Sequence, residues 1–401
     1  MSEPDHESLP TIFCAPLRYV QGPGAMRHIG DEMLAVGLEG PALFVAGGSS
    51  IGLLAPTWAA ALDRIGWTHR VRLFGGESTF REIEAIAAEA KNLGARVIVG
   101  AGGGKVLDAA RAAAAAVRLP FVSCPTICST DAPTSALSVI YTEAGVAESY
   151  QIHRRSPDLV LVDTEVIAGS PPRFLAAGIG DAMSTLYEAR ATAAAGRPNM
   201  RGGRSTLAAL ELSRLCRDVV LADGEAALAE CRARHAGPAL ERIVEAATLL
   251  SGLGFESSGL AAAHAVHNGL TCLPATHGLL HGEKVAFGTL VHLLLEAQSP
   301  AVDPAMRSES LAEARRVAAF FIRVGLPVTL AQLGVPADPA AGRAAAVHAV
   351  ATRTVAPGET IHNMPFPVDA AVVEAAIVAA DALGESLRAG SAATFSAAEH
   401  R

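Results

Sequence analysis

The sequence predicts a two-domain chain of α/β plus all-α class, with a parallel-sheet α/β domain over residues 1–172 and a helical domain over residues 173–401. Three observations carry this. The length of 401 residues suits two domains better than one. From residue 41 to residue 163, short β-branched runs alternate with Ala-rich helical segments, the pattern of βαβ units. After Ser170-Pro171-Pro172 nearly everything to residue 388 is Ala-rich and Leu-rich helix, and paired prolines disfavour helix continuing into them.

The strand candidates are Pro41–Ala46, His69–Phe74, Ala95–Val99, Pro120–Cys124 and Leu159–Val162. Several are near-continuous apolar runs, as expected of strands covered on both faces. Between them, Phe80–Leu93 and Lys105–Val117 read as helices. In the second half, helices are expected to break at Gly202-Gly203, Gly237-Pro238, Pro274, the stretch 299–304 and Pro336 to Pro339, with both termini as tails.

Composition narrows the function. Thirty-two Lys and Arg against 40 Asp and Glu leave a net charge of −8, so a nucleic-acid or electrostatic membrane partner has no support. Half the residues are hydrophobic but only 4% are aromatic, a profile of folded, helix-rich protein. No run of 18 uncharged apolar residues occurs, and Glu3, Asp5 and Glu7 stand where a secretory leader carries positive charge. Six cysteines without Cys-x-x-Cys spacing read as small buried hydrophobes in a reducing compartment. A cytoplasmic location is expected.

Two loops carry cofactor chemistry. The run Gly100-Ala101-Gly102-Gly103-Gly104-Lys105-Val106-Leu107-Asp108 follows a buried strand and opens a helix. Glycines let backbone approach a ligand, and the helix start offers N–H groups and a positive dipole end to a phosphate. The spacing is neither Gly-x-Gly-x-x-Gly nor a Walker loop, so a plain tight turn also fits, with Lys105 and Asp108 as ordinary first-turn residues. The second loop, Cys124 to Ser138, is rich in hydroxyls and again leaves a buried strand, where ligand crevices form in open parallel sheets. Such a stretch also suits any turn.

The helical half supplies candidate metal ligands: Asp181 near a helix start, His264 and His267 on one helix face at i, i+3, then His277 and His281. One carboxylate with two imidazoles and an open fourth position is the composition of a catalytic zinc site. Taken singly, each His also suits a packed core position, and Asp181 a helix cap.

With these residues in hand, the segments GAGGGKVLDAAR, PTICSTDAPTSALSVIYTEAG, SPDLVLVDTEVI, ESSGLAAAHAVHNGLT and HGEKVAFGTL resemble the glycerol dehydrogenases of the metal-dependent polyol dehydrogenases, over about residues 12–388. The resemblance implies a homo-oligomer of dehydroquinate-synthase-like architecture, with a Rossmann-like nucleotide-binding domain followed by a helical metal-binding domain. It implies zinc on Asp181, His264 and His281, with His267 and His277 behind the ligands or facing substrate. It also implies NAD contacts at Gly102, Gly103, Gly104, Lys105, Asp108, Thr126, Ser129, Ser135, Leu137 and Tyr141. Asp131 would meet a second substrate hydroxyl, and the implied reaction oxidises glycerol or a related vicinal diol to dihydroxyacetone. His362, in the segment GETIHNMP, is expected at a helix start or near the site.

Two departures from the family pattern stand out. The iron-type relatives place a His one turn after the Asp, but here that position is Thr185, which favours zinc over iron. After the first strand, Gly47 stands where the family has an acidic residue beside the adenosine ribose, so NADP becomes possible beside NAD. A dehydroquinate-synthase-type lyase is the alternative reading, but it needs a basic cluster near the metal, where only Lys284 occurs.

Overall fold

The computed structural model describes residues 9–398 apart from residues 144, 146, 336, 338 and 339. The break expected at Pro336 to Pro339 and the outer parts of both tails therefore fall wholly or partly outside the described residues.

The first unit comprises Cys14–Leu175 with Ala226–Leu253. Its strands β1 (Tyr19–Gly22), β2 (Ala42–Ala46), β3 (His69–Leu73), β4 (Val97–Gly102), β5 (Phe121–Pro125) and β8 (Leu159–Asp163) form one sheet in the order β1-β8-β5-β4-β2-β3. All its pairings are parallel. Strands β6 (Leu137–Tyr141) and β7 (Ala147–Ile152) make a separate antiparallel hairpin.

Successive side chains of a strand point to opposite faces, and the core divides accordingly. Phe44, Val97, Val99, Val122 and Leu161 pack with Met33, Trp58 and Leu62 of helices α1 (Ile29–Ala35) and α2 (Gly48–Arg64). On the other face Leu43, Val45 and Ile98 pack with Ile83 and Ile86 of α3 (Phe80–Leu93) and Ala110 and Ala113 of α4 (Gly104–Val117). Each fully buried Val, Leu, Ile, Phe or Met side chain among these contributes roughly 1.5–3 kcal/mol. Trp58 stacks on Phe44 with ring centres 4.9 Å apart, which joins α2 to the sheet.

Two local expectations need correction. Strand β4 runs on to Gly102, so most of the glycine run is strand and only Gly103 separates it from α4. The reason is packing: a Cβ on Gly100 would stand 3.0 Å from the Ala110 Cβ, and glycine lets α4 lie close to the sheet. The short strand β1 and the β6–β7 hairpin carry too weak an apolar alternation to be read from sequence; β1 is half-buried throughout.

The second unit gathers the chain up to Phe13, Ala176–Glu225 and Gly254–Arg401. It is helical: most of α6 (Pro172–Ala194) and α7 (Leu207–Arg232), then α10 (Ala262–Leu270), α11 (His281–Gln298), α12 (Pro304–Val324), α13 (Ala340–Thr354) and α14 (Ala370–Ala398). Among the described residues, no helix is long and apolar enough to cross a membrane. Cys124, Cys128, Cys216 and Cys231 are buried, while Cys14 is half-buried and Cys272 exposed, so the reading of all six as core residues holds for four.

The single boundary expected at 172/173 lies beside one crossing, but two segments change sides. Residues 226–253, which hold α8 (Pro238–Glu245) beside the short helix α5 (Thr164–Ala168), belong with the sheet: Gln21 Nε2 donates to Glu241 Oε2 at 2.7 Å, and Thr134 Oγ1 donates to the Thr248 carbonyl at 3.0 Å. The N-terminal stretch belongs with the helices, since Ile12 N donates to the Arg204 carbonyl at 3.1 Å and Asn199 Nδ2 to the Ile12 carbonyl at 2.9 Å.

Candidate metal centre and cofactor loops

The metal candidates converge. Ligand atoms of Asp181, His264 and His281 all lie within 4.8 Å of one another. His264 Nε2 stands 3.5 Å and His281 Nε2 3.2 Å from Asp181 Oδ1. Two ligands on one tetrahedral ion at about 2.0–2.1 Å are about 3.3–3.4 Å apart, so this donor set fits a zinc-sized ion.

Three helices bring these side chains together by close approach. A Cβ on Gly282 would fall 1.8 Å from the Ala177 carbonyl oxygen, so only glycine lets α11 cross α6 there, next to His281 and Asp181. A Cβ on Gly288 would fall 2.3 Å from the Ala263 carbonyl oxygen, which brings α11 equally near α10 beside His264.

Hydrogen bonds set which ring nitrogen faces inward. Glu188, two helical turns after Asp181, accepts from His264 Nδ1 at 2.5 Å and from the backbone N–H of Ala261 and His264 at 2.9 Å each. The Nδ1 proton of His264 is thereby engaged, and its Nε2 lone pair is left facing Asp181. His281 Nδ1 is 3.0 Å from His267 Nε2, again leaving Nε2 toward Asp181.

Burial alone would push the Asp181 carboxyl up, but His281 and His264 outweigh it and hold Asp181 well below the usual carboxylate range. Burial likewise works against a charged His264, yet Glu188 and Asp181 outweigh it and favour positive charge at this ring, so a proton and a metal ion would compete for the same Nε2 lone pair. His267 goes the other way, pushed down by burial and by His281, Lys284 and His264, so it stays neutral. His277 and His362 are elsewhere engaged, on the carbonyls of Thr271 and Ala356 at 3.1 and 3.3 Å.

In the sheet unit, the carboxyl ends of β2, β4 and β5 are neighbours. The chain passes from β2 to β3 on one side and returns to β4 on the other, so the switch of direction falls between β2 and β4. Ligand crevices form at such points. Gly47 follows β2, Gly103 follows β4 and Thr126 follows β5; Thr126 N donates to the Gly102 carbonyl at 3.1 Å. Gly103 caps α4 without any side chain, and a Cβ there would lie 2.9 Å from Ile127 Cδ1, so the turn is held open by the lack of side chains.

The other predicted cofactor residues lie on α4, on the loop that follows β5 and on the hairpin. Ser50 and Thr126 hydroxyls are 3.2 Å apart, and Ser135 Oγ donates to the Ala132 carbonyl at 3.3 Å. Lys105 pairs with Glu77 at 2.5 Å and sits 5.2 Å from the Tyr141 ring centre. Ser129 is buried at the same loop, and Leu137 opens β6.

Asp108 is differently placed. Its carboxylate takes Arg111 at 2.8 Å and the Val139 N–H at 3.2 Å, while Arg111 also donates to the carbonyls of Leu137 and Ala132. Burial raises the Asp108 carboxyl to about 6, with Arg111 opposing. It anchors the hairpin to α4 from inside the protein.

Asp131 is buried, and Ser251 Oγ donates to its Oδ2 at 2.8 Å. Ser251 follows a π-helical turn over Ala246–Leu250, a feature common at functional sites. A Cβ on the next residue, Gly252, would collide with Thr134 Oγ1 at 1.8 Å, so this contact also depends on glycine. Sequence reasoning missed Glu188 and Ser251. A buried Glu seven positions after Asp181 in an Ala-rich helix was the available signal for the first; nothing local marks the second.

Residues 16–164 match the iron-containing alcohol dehydrogenase family. The chain is 48% identical to a glycerol dehydrogenase of Citrobacter freundii over 93% of this chain and 98% of that one. It is 45% identical to a glycerol dehydrogenase of Pseudomonas putida, over 92% and 97%. The crystal structure of glycerol dehydrogenase from Schizosaccharomyces pombe superposes with a TM-score of 0.87 at 35% identity, covering 96% of this chain and 94% of that one.

Proposed function

Because the chain belongs to the glycerol dehydrogenase family of iron-containing alcohol dehydrogenases, we propose that it oxidises glycerol, or a related vicinal diol, with NAD, giving dihydroxyacetone. When bound, NAD would accept the hydride lost from the secondary carbon while the hydroxyl proton goes to solvent, so that ketone and reduced cofactor balance the two-electron oxidation. The observation that carries this reading is the convergence of Asp181, His264 and His281 in a chain so similar, end to end, to glycerol dehydrogenases.

Zinc is the proposed ion, held by Asp181, His264 and His281, whose oxygen and nitrogen donors suit it. When bound, it supplies a Lewis acid that makes loss of the substrate hydroxyl proton easier, while the nicotinamide supplies the hydride acceptor. The chain's own residues do the positioning. Glu188 and His267 hold the two imidazoles in the tautomer that faces Asp181. Asp131, oriented by Ser251, accepts a hydrogen bond from a neighbouring substrate hydroxyl and so favours vicinal diols.

The diphosphate of NAD is assigned to the turn Gly102-Gly103-Gly104 at the start of α4, with Lys105 as a nearby point charge. Thr126, Ser129, Ser135, Leu137 and Tyr141 line the remaining contacts, and Asp108 supports them through Arg111 and the hairpin. Gly47 leaves the adenosine ribose without a carboxylate partner, so NAD is favoured only weakly over NADP. A homo-oligomer in the cytoplasm, acting on a free polyol, completes the proposal.

The test is direct: purified protein with zinc is offered glycerol and NAD while nicotinamide reduction is followed by absorbance. Turnover with glycerol or 1,2-propanediol is expected. No reduction with either, in zinc-replete protein, would overturn the assignment.

A further inference from the structure

The segment Gly358 to Pro365 takes no part in the chemistry above, yet it is tied closely to the helix that carries His264. Thr360 Oγ1 donates to the Ala261 carbonyl at 2.7 Å and Asn363 Nδ2 to the Leu260 carbonyl at 2.8 Å, both at the start of α10. Between them and the ligands runs a chain of hydrogen bonds. Arg353 pairs with Glu359, Glu359 Oε2 accepts from Asn268 Nδ2 at 2.8 Å, Asn268 Oδ1 is 3.0 Å from His267 Nδ1, and His267 Nε2 is 3.0 Å from His281 Nδ1.

Each link fixes the next. A carboxylate accepts only, so Glu359 takes the Asn268 amide N–H and turns the amide oxygen toward His267. That oxygen requires a proton on His267 Nδ1, which leaves a lone pair on His267 Nε2. The lone pair accepts from His281 Nδ1–H, and His281 is left with its Nε2 lone pair 3.2 Å from Asp181 Oδ1. We propose that Glu359, Asn268 and His267 are positioning residues that set the tautomer and ring orientation of His281, and so the affinity of the Asp181–His264–His281 centre for its ion.

The inference rests on the metal reading above and extends it to residues remote from the ligands. In this centre His264 takes its orientation from a carboxylate directly, through Glu188. His281 takes its own from a carboxylate three hydrogen bonds away, through two intervening side chains. Outer partners of metal-bound imidazoles are typically worth about 10–100-fold in affinity.

The experiment measures the zinc dissociation constant by competition with a chromophoric chelator, without substrate. His267→Leu and Glu359→Met are expected to weaken zinc binding about tenfold or more. His267→Gln, which keeps both an acceptor and a donor, is expected to stay within about threefold of wild type. Thermal midpoints of the metal-free proteins separate this effect from loss of folding. Histidine nitrogen shifts by NMR report the His281 tautomer, which should be single in wild type and mixed in Glu359→Met.

Zinc affinity within threefold of wild type in both His267→Leu and Glu359→Met would overturn the proposal. So would a His267→Gln protein as impaired as His267→Leu at equal metal-free stability. A wild-type chain that takes up no zinc would overturn the metal reading and this inference together. A wild type that binds zinc but does not oxidise glycerol would overturn only the substrate assignment.

Discussion

In the helical unit the candidate site is built from side chains far apart in sequence, whereas in the sheet unit it is built from the backbone of a βα turn and the loops beside it. Asp181, His264 and His281 meet because Gly282 and Gly288 let three helices approach closely. The cofactor turn needs only β4, Gly103 and the first turn of α4, which are contiguous. A backbone site tolerates change in distant residues, and a side-chain site does not. The two should therefore fail separately.

The largest effect is expected from His264→Ala. Losing one ligand should remove bound zinc and lower kcat with glycerol on the order of a thousandfold or more, since Lewis-acid stabilisation amounts to several kcal/mol. Metal content by mass spectrometry and kcat should fall together.

Gly282→Ala and Gly103→Ala sharpen the contrast. The first places a Cβ against the Ala177 carbonyl and should weaken zinc about 10–100-fold while leaving NAD affinity near wild type. The second meets only the flexible end of Ile127 and should raise the KM for NAD about tenfold, a cost of about 1.4 kcal/mol, with zinc retained. Equal loss of both ligands in either variant would contradict separate construction.

Asp108 tests the sheet unit alone. Its folded carboxyl sits at about 6, above the ordinary value of 3.8, so the folded state holds the proton more tightly. The stability this group contributes is present in full below about pH 4 and is lost as pH rises to about 6. The advantage of wild type over Asp108→Asn in urea unfolding should therefore shrink across that window by about 3 kcal/mol. Parallel stability curves would refute this account of the residue.

The smallest effect is expected at the ribose. A Cβ at Gly47 meets no atom within 4 Å, so Gly47→Asp should fold normally. It should lower kcat/KM with NADP about tenfold more than with NAD, about 1.4 kcal/mol of discrimination. Equal effects would remove Gly47 from cofactor selection.

Much of this was legible beforehand, for reasons that particular residues make clear. Phe80–Leu93 is a helix as expected because Thr79 caps it, donated to by Glu82 N, and Gly94 ends it at φ 66°. Five of the six sheet strands were expected: apolar runs mark β2, β4, β5 and β8 because both their faces are covered, whereas β3, partly exposed at the sheet edge, carries no such run. The paired prolines marked the start of α6, but three of the unit boundaries lie inside helices, at Leu175, Glu225 and Leu253, where no turn residue signals them. Family resemblance picked out Asp181, His264 and His281, which converge, yet Glu188, Asn268 and Glu359 join them through contacts across helices, and spacing along the chain does not encode such contacts.

The central claim is that zinc held by Asp181, His264 and His281 is required for glycerol oxidation. Protein stripped with chelator, then dialysed and titrated with zinc, should lose glycerol-dependent NAD reduction and regain it at one equivalent per chain. Full activity in the stripped protein, or activity unrestored by zinc in protein that remains folded, would contradict it.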